Sequence, residues 1–336
     1  MDFGKFLAES AQPVNEYLEG FFTFDGMEDL KRYLYNPLLE YTVNAGKRHR
    51  PLICMLACMA VGGNASDAVM SGSAIENFHT AALIHDDIAD EAKLRRGKPC
   101  MHLSEGLSIA INAGDMALAS VISSVLADDA LTDEVKLRVL AEIVEMDTKT
   151  IEGQALDIGW ARDGRYDLAV EDYIEMATRK TAYYSGGIPL AIGAIIGGGT
   201  DEQVEALRHF GMLTGLAFQI QDDLINLVGD EEHAGKDFRS DITEGKRTMI
   251  SVHALRNAPA DDADELRAIL DSGTEDAALL SRAVRIMEEA GSIGYARDFA
   301  HNLIQEAKRV LGPVLPESDY KDTLFSMADF FVDRVG

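Results

Sequence analysis

The sequence predicts an all-α fold, and two features of the chain carry that prediction. Apolar residues recur every three or four positions over long stretches, as on the buried face of a helix, and the strict alternation typical of strands is almost absent. Segments rich in glycine, proline or asparagine separate these stretches. The expected helices cover residues 67–91, 104–126, 133–157, 170–196, 201–227 and 277–311.

A chain of 336 residues is long enough for two domains, but the sequence favours one. No linker rich in glycine, serine or proline divides it, and no internal repeat of fixed period is present. We therefore expect a single domain over residues 1–336, a large helical bundle whose core holds the functional site. The longest irregular stretch, residues 228–247, is rich in glycine and charge, which is typical of a functional loop or of a disordered segment.

Composition and charge argue against several classes of protein. Lysine and arginine total 31 against 57 aspartates and glutamates, and the formal net charge of −26 argues against nucleic acid or an anionic membrane as partner. The longest apolar runs, residues 52–61 and 188–196, are too short to span a bilayer, so no integral membrane segment is expected. No signal peptide is recognisable, which predicts a cytoplasmic protein. The 3 cysteines indicate neither a disulfide framework nor a zinc site.

Two aspartate clusters lie in apolar, helix-like stretches. Asp86 and Asp90 are four positions apart and share a helix face, with Asp87 beside them. Asp222 and Asp223 open a second cluster of the same spacing. A solvated acidic turn would explain one such cluster alone, but both adjoin apolar runs. Carboxylates this dense repel one another unless a cation lies between them, and oxygen ligands suit Mg²⁺. We expect the two helix faces to bind Mg²⁺ from opposite walls of the bundle.

Basic residues follow each cluster and predict a phosphate ligand. Arg95 and Arg96 come just after the first cluster, and Lys236 and Lys246 follow the second. A guanidinium group binds phosphate through two parallel hydrogen bonds, and an ammonium group acts as a compact point charge. Bound Mg²⁺ would neutralise a diphosphate leaving group as its C–O bond breaks. The sequence therefore predicts a magnesium-dependent enzyme that acts on a diphosphate.

Eight short motifs occur in a fixed order along the whole chain. They are Gly46-Lys47-Arg48-His49-Arg50-Pro51, Glu76-Asn-Phe-His79, His85-Asp86-Asp87 through Arg96-Gly97, Gly153-Gln154-Ala-Leu-Asp157, Lys180-Thr181, Phe218-Gln219-Ile-Gln-Asp222-Asp223, Gly235-Lys236-Asp237 and Gly245-Lys246. In these motifs the chain resembles the trans-isoprenyl diphosphate synthases of the polyprenyl synthetase family. The resemblance implies the isoprenoid synthase type of fold, a single helical bundle around a central catalytic cavity, and a homodimer.

The resemblance also implies a reaction and its substrates. Isopentenyl diphosphate would condense head to tail with an allylic diphosphate (dimethylallyl, geranyl or farnesyl) and release pyrophosphate. The allylic diphosphate would ionise, the isopentenyl double bond would attack the resulting cation, and a proton would then be lost to the departing pyrophosphate. Three Mg²⁺ ions would serve as cofactor.

Individual roles follow from the same resemblance, residue by residue. The metal site would comprise Asp86, Asp87, Asp90, Asp222 and Asp223, with Asp87 and Asp223 in supporting positions. The allylic diphosphate would bind Arg95, Lys180, Lys236 and Lys246. A separate, metal-free pocket for isopentenyl diphosphate would contain Lys47, Arg50, His79 and Arg96. Thr181 and Gln219 would turn oxygens toward the carbocation, and Lys180 would steady the leaving group.

Two residues depart from the family pattern. Asn226 ends the second cluster where many members carry aspartate, so its role as a direct metal ligand is open. Near the C-terminus, Arg334 either folds over the isopentenyl site or belongs to a solvated end of the chain. The roles of Gln154 and Asp157 are also open. They either orient Arg95 and metal-bound water or are ordinary polar residues of the core.

Residues that precede Asp86 on its helix are expected to set the length of the product. Ala81 and Ala82 are small where synthases of fifteen-carbon products carry an aromatic residue, so they leave the product tunnel open. Phe78 lies one turn further, and a turn of about 5.4 Å is close to one isoprene unit. We therefore expect geranylgeranyl diphosphate, with twenty carbons. If Phe78 instead packs elsewhere, the product has thirty carbons or more; a farnesyl diphosphate synthase is a further alternative.

Two other functions compete with this hypothesis. A class I terpene cyclase would share the fold and the first cluster, but it would have no use for the isopentenyl pocket. A non-catalytic regulatory subunit of a heteromeric synthase would be expected to lose metal ligands, yet five of the six motif carboxylates are present. Both features favour an active condensing enzyme.

Overall fold

The computed structural model describes residues 2–44, 46–229 and 238–334, and it confirms the all-α prediction. The helices of the first half are α1 Phe3–Ser10, α2 Gln12–Phe21, α3 Glu28–Leu30, α4 Asn36–Val43, α5 His49–Ala60, α6 Val69–Ala89, α7 Met101–Ser104, α8 Leu107–Leu126 and α9 Asp133–Arg162. Those of the second half are α10 Val170–Ala177, α11 Ile188–Ile196, α12 Asp201–Val228, α13 Ser240–Thr243, α14 Met249–Asn257, α15 Ala260–Asp271, α16 Ala277–Glu289, α17 Ser292–Leu311 and α18 Asp319–Asp333.

Shorter elements complete the described chain. A 3₁₀ turn spans Ala65–Ala68, and π-helical segments span Lys31–Tyr35 and Thr178–Gly187. Strands β1 (Leu94–Arg95) and β2 (Lys98–Pro99) pair antiparallel as a small hairpin. Its turn residues, Arg96 and Gly97, have φ values of 51° and 78°, as a tight two-residue hairpin turn requires.

The helices group into two compact units, each assembled from separate stretches of chain. The first unit contains residues 1–144, 188–207 and 315–324, and the second contains residues 145–187, 208–314 and 325–336. Helices α9, α12 and α18 each contribute to both. The expectation of a single domain over residues 1–336 stays a prediction.

In the first unit, α6 packs against α5 and α8, and α11 packs against α5. Small residues allow these close approaches: Ala110, Ala113 and Ala117 of α8 are fully buried. A Cβ on Gly193 of α11 would lie 2.0 Å from the carbonyl oxygen of Cys54 in α5, so only glycine fits there. This packing fixes α6, which carries the first aspartate cluster at its C-terminal end.

In the second unit, the π-helical segment lies against both α9 and α12. A Cβ on Gly153 of α9 would lie 2.2 Å from the backbone nitrogen of Lys180. A Cβ on Gly186 would likewise lie 2.1 Å from the carbonyl oxygen of Gly211 in α12. The π-helical widening occurs where Lys180 and Thr181 project, and such irregular turns are frequent at functional sites.

Some helix boundaries differ from the expectation. The stretch 277–311, predicted as one helix, breaks at Gly291, whose φ of 72° is typical of a residue that ends a helix. The stretch 170–196 contains the π-helical segment between α10 and α11. Helix α8 begins at Leu107 rather than at 104, because Gly106 has a φ of 92°.

Helix α8 is apolar over a greater length than the uninterrupted apolar runs of the sequence indicate. Among the described residues it is the one helix long and apolar enough to cross a membrane, and 44% of that stretch is buried within the protein. Its buried alanines belong to a hydrophobic core that also contains Phe22, Leu38 and Ile84. The core helix of a soluble protein has the same composition.

Candidate active site

The last turn of α6 presents the first aspartate cluster. Asp86 and Asp90 are half-buried and lie one turn apart, with the Asp90 amide donating to the Asp86 carbonyl oxygen at 2.9 Å. Asp87 points inward and is only 1% exposed. Two carboxylates of this cluster are thus accessible to a ligand, and the third is enclosed by protein.

The enclosed carboxylate holds an arginine. Arg95 of β1 donates through Nε at 2.8 Å and through Nη2 at 2.6 Å to Asp87 Oδ1, and the Tyr41 hydroxyl donates to Oδ2 at 3.1 Å. Burial alone would lower the pKa of Arg95, but the hydrogen bond and charge of Asp87 outweigh it and raise that pKa. Both Asp87 oxygens are therefore engaged, which favours a supporting role in orienting Arg95.

A cation-rich pocket surrounds the loop before α5. Arg48, in the left-handed region with a φ of 51°, donates to Glu76 Oε1 at 3.2 Å, and both side chains are buried. A Cβ on Gly46 would lie 3.2 Å from Arg48 Nη1, 3.3 Å from Arg96 Nη2 and 3.4 Å from Glu76 Oε1. Two sequence motifs and the hairpin turn thus converge at Gly46, and Glu76 supplies the buried negative charge among the arginines.

The same pocket keeps His79 neutral. Burial, followed by the positive charges of Arg50, His49, Arg96 and Arg95, lowers the pKa of His79 well below its usual value. Arg50 is buried, whereas Lys47 and Arg96 are exposed at the edge of the pocket. A neutral imidazole beside guanidinium groups can donate one N–H bond to an anion without adding charge.

The second cluster lies on the last two turns of α12. Asp223 is 6% exposed, and its carboxylate accepts from the Tyr173 hydroxyl at 2.7 Å and from Gln219 Nε2 at 2.7 Å. Burial and the nearby charge of Asp241 raise the pKa of Asp223. Asp222 is more accessible, with 42% of its side chain exposed. As in the first cluster, an enclosed carboxylate stands beside an accessible one.

Lys180 and Lys246 line a cavity with Asp223 and each pairs with nearby acids. Lys180 Nζ lies 2.5 Å from Asp157 Oδ2, and Lys246 lies 3.7 Å from Asp241 and 2.5 Å from Glu244. Burial would raise the pKa of Asp157, but the charges of Lys180 and Lys246 overcome it and lower that pKa. A cavity of about 60 Å³ is lined by Asp157, Tyr173, Lys180, Gln219, Asp223, Asp241 and Lys246.

Thr181 and Gln219, the two residues expected to face the carbocation, are hydrogen-bonded to each other. Thr181 Oγ1 donates to Gln219 Oε1 at 2.6 Å, and the Gln219 amide in turn donates to Asp223. The amide of Gln219 is thereby oriented at both ends, because its oxygen accepts while its nitrogen donates.

Both clusters suit a hard cation that keeps some water. Among residues 2–44, 46–229 and 238–334, no three Asp, Glu, His or Cys side chains are placed to hold a metal ion by themselves. Each cluster therefore supplies only part of a coordination shell. Mg²⁺ binds in this manner, through one or two carboxylates together with water and phosphate oxygens.

The sequence model described as polyprenyl synthetase matches residues 31–287. The chain belongs to the polyprenyl synthetase family. It is 41% identical over 296 residues to a short chain isoprenyl diphosphate synthase of Methanothermobacter thermautotrophicus, covering 88% of this chain and 89% of the relative. It is 36% identical over 312 residues to a geranylfarnesyl diphosphate synthase of Natronomonas pharaonis, covering 88% of each.

A solved structure of the family has the same fold. The geranylgeranyl pyrophosphate synthase of Corynebacterium glutamicum, complexed with isoprenyl diphosphate and magnesium, superposes with a TM-score of 0.89 at 28% identity, covering 99% of this chain and 100% of that one. Family membership makes this chain a prenyltransferase, and the family depends on Mg²⁺.

Three residues that the sequence analysis singled out lie at or beyond the end of the second cluster. Asn226 donates to Ser240 Oγ at 3.0 Å and accepts from the Asp241 amide at 3.3 Å, so it ties α12 to α13. Arg334 donates through Nη2 to Asp222 Oδ1 at 2.5 Å. Lys236 lies outside the described residues.

The predicted chain-length residues of this prenyltransferase occupy different surroundings. Ala81 is 2% exposed and belongs to the hydrophobic core that includes Phe22, Leu38 and Met101. Phe78 is 4% exposed, and Ala82, one turn along the same helix face, is half-buried. Phe78 and Ala82 thus share a face of α6 beside that of Ala81.

Sequence reasoning missed Asp241, Tyr173, Tyr41 and the site role of Glu76. Asp241 had a signal, since it lies in the charged stretch 228–247 five positions before Lys246. Glu76 also had one, because it opens a motif that ends in His79. The two tyrosines had none, because each lies far along the chain from the aspartate that it contacts.

Proposed function

We propose that this chain condenses isopentenyl diphosphate with an allylic diphosphate and releases pyrophosphate, with geranylgeranyl diphosphate as the main product. The observation that carries the proposal is the cation-rich pocket with a neutral His79, Arg50 and Arg96 beside the buried Glu76. A terpene cyclase, which uses one diphosphate, has no need for a second phosphate pocket.

The accessible carboxylates would hold the metal. We assign Asp86, Asp90 and Asp222 as ligands of three Mg²⁺ ions, with Asp87 and Asp223 in support. When bound, Mg²⁺ supplies Lewis-acid neutralisation of the leaving diphosphate. Arg95, already oriented by Asp87, and Lys180, already oriented by Asp157, donate hydrogen bonds to that diphosphate.

The remaining residues act on the second substrate and on the cation. Lys47, Arg50, His79 and Arg96 bind the isopentenyl diphosphate group. Thr181 and Gln219 direct oxygen lone pairs toward the allylic cation, and their mutual hydrogen bond fixes that direction. Lys246 and Lys236 complete the allylic diphosphate site, and the departing pyrophosphate accepts the proton lost after condensation.

The family relationship also supports a homodimer in the cytoplasm. Helix α9 carries exposed apolar residues at seven-residue intervals, namely Leu137, Val144, Ile151 and Ile158. Exposed apolar residues at this spacing form one row along the helix, which is typical of an association surface. Light scattering of the purified chain at micromolar concentration is expected to give twice the monomer mass of 36.6 kDa.

A product assay tests the proposed reaction. The purified chain is incubated with Mg²⁺, labelled isopentenyl diphosphate and dimethylallyl, geranyl or farnesyl diphosphate in turn, and the dephosphorylated products are separated by chromatography. We expect mainly geranylgeraniol. A hydrocarbon formed from the allylic diphosphate alone indicates a cyclase, and no turnover without a partner chain indicates a regulatory subunit.

A pair of substitutions tests the product length. Phe78→Ala is expected to lengthen the main product by at least one isoprene unit, because it removes the next bulky side chain along α6. Ala82→Phe, on the same helix face, is expected to shorten it to fifteen carbons. An unchanged product in Phe78→Ala removes the chain-length hypothesis, and a main product of twenty-five or thirty carbons from the unmodified chain contradicts it directly.

A further inference from the structure

The C-terminal turn brings a guanidinium group to the accessible carboxylate of the second cluster. Arg334 Nη2 donates to Asp222 Oδ1 at 2.5 Å and to the Phe218 carbonyl oxygen at 3.1 Å. Its guanidinium carbon lies 3.9 Å from the centre of the Phe218 ring, a favourable cation–π position. One side chain near the end of α18 thus makes three contacts with the last turns of α12.

The backbone around Arg334 is held as well. Gln221 Nε2 donates to the Arg334 carbonyl oxygen at 2.7 Å, and Phe331 packs edge-on against Phe218 with ring centres 5.0 Å apart. The Arg334 side chain is only 16% exposed. A frayed terminus would not make these contacts, so the second of the two sequence-based alternatives for Arg334 does not fit the structure.

The position of this guanidinium group differs from that of Arg95 in the first cluster. Arg95 binds the enclosed Asp87 and leaves Asp86 and Asp90 accessible, whereas Arg334 binds Asp222, the accessible member of its cluster. A guanidinium group keeps its charge at any pH that a protein tolerates. A divalent cation on the same carboxylate would therefore be repelled by Arg334 at close range.

We propose that Arg334 and Mg²⁺ compete for Asp222, so that binding of the metal releases the C-terminal turn. This inference rests on the proposed function only in taking Asp222 as a metal ligand. The guanidinium group pairs with the carboxylate until Mg²⁺ replaces it. Once the Arg334 side chain has left Asp222, only the contacts of Gln221 and Phe331 hold the end of α18 to α12. The end of α18 then becomes mobile.

The competition is testable without any measurement of activity. Mg²⁺ affinity of the full chain is measured by isothermal titration calorimetry for the unmodified protein, Arg334→Gln, Asp222→Asn and the control Arg309→Gln, whose ion pair with Glu306 lies on the exposed side of α17. Arg334→Gln is expected to bind Mg²⁺ about fivefold more tightly, because the substitution removes a partly exposed ion pair that competes with the metal. Arg309→Gln is expected to match the unmodified protein.

Hydrogen exchange supplies a second readout on the unmodified chain. Addition of Mg²⁺ is expected to accelerate exchange of the amides in residues 328–334 several-fold, and Mg²⁺ has no such effect in Asp222→Asn. The inference is overturned if Arg334→Gln binds Mg²⁺ no more tightly than the unmodified chain and Mg²⁺ leaves hydrogen exchange unchanged. If Asp222→Asn loses Mg²⁺ affinity in that case, Asp222 is still a metal ligand and the proposed function stands. Unchanged Mg²⁺ affinity in Asp222→Asn overturns the metal assignment of Asp222 and this inference together, whatever the product assay gives.

Discussion

The two aspartate clusters have nearly the same sequence spacing but different charge balance. In the first, the enclosed Asp87 pairs with a guanidinium group, that of Arg95, and with the hydroxyl of Tyr41. In the second, the enclosed Asp223 is held by two neutral donors, Tyr173 and Gln219. The enclosed carboxylate of the first cluster therefore has a cationic partner, whereas that of the second has two neutral ones; the guanidinium group of the second cluster, that of Arg334, binds the accessible Asp222 instead.

The difference has an electrostatic consequence. Burial raises the pKa of Asp223, and the neighbouring charge of Asp241 raises it further. Asp87 instead raises the pKa of its partner Arg95. A repeated motif thus specifies where carboxylates lie, while the residues packed around it decide how strongly each cluster attracts an external cation. We expect the second cluster to depend more on bound metal than the first.

The accessible carboxylates give the largest expected effects. Asp86→Asn and Asp222→Asn are each expected to lower kcat by about 10² to 10³, because each removes a charged ligand that acts on the leaving group. Steady-state kinetics at saturating Mg²⁺ and both substrates measure the loss. A variant that retains more than half of the original kcat would remove its aspartate from the metal site.

Substitutions of the two enclosed carboxylates are expected to affect the two clusters differently. Asp87→Asn deprives Arg95 of its charged partner and is expected to lower the free energy of unfolding by about 2 kcal/mol, a value reduced for the partial exposure of Arg95. Asp223→Asn keeps a neutral hydrogen-bonding group among neutral donors and is expected to cost less than about 1 kcal/mol.

Urea unfolding at neutral pH without added metal measures this pair of variants. We expect Asp87→Asn to lose more free energy of unfolding than Asp223→Asn. A larger loss in Asp223→Asn would contradict this expectation, because charge–charge stabilisation of Asp223 by the lysines that line the same cavity would then exceed that of Asp87 by Arg95.

Asp147 on α9 isolates the effect of burial and gives the smallest expected change. Burial raises the pKa of Asp147 from 3.8 to about 7, and its Oδ1 is buried without a hydrogen-bond partner. Between these values the folded chain binds more protons than the unfolded chain, so this group lowers stability as pH rises toward 7 and the loss is complete above it.

Asp147→Asn removes this titration. The stability of the variant relative to the unmodified chain is expected to increase by about 1 kcal/mol between pH 5 and pH 8, after allowance for structural relaxation. Urea unfolding at the two pH values, in buffers of equal ionic strength, gives the difference. A constant difference between the two proteins at both pH values shows that burial of Asp147 does not shift its titration.

The sequence predicted helices and motif positions well, because both depend on local spacing. The i, i+4 relation of Asp86 and Asp90 follows from their spacing in the chain. Partners supplied by distant segments were not predictable. Tyr173 reaches Asp223 across 50 residues and Arg334 reaches Asp222 across 112, and neither spacing has a periodic signal.

The rotation of α6 about its own axis was also not predictable from the sequence. Spacing places Phe78, Ala81 and Ala82 before Asp86, but only the packing of α6 against α8 determines that Ala81 enters the hydrophobic core. The break at Gly291 had a local signal in the glycine itself, yet the apolar periodicity continued across it and obscured the turn.

Crystals of the full chain soaked with Mn²⁺ and a non-hydrolysable allylic diphosphate analogue test the central claim most directly. Anomalous difference maps locate the metal without reference to activity. We expect peaks within about 2.5 Å of carboxylate oxygens of Asp86 and of Asp222, with the Arg334 guanidinium group displaced from Asp222. Metal peaks at neither aspartate, with the analogue bound elsewhere, would contradict the assignment of both clusters.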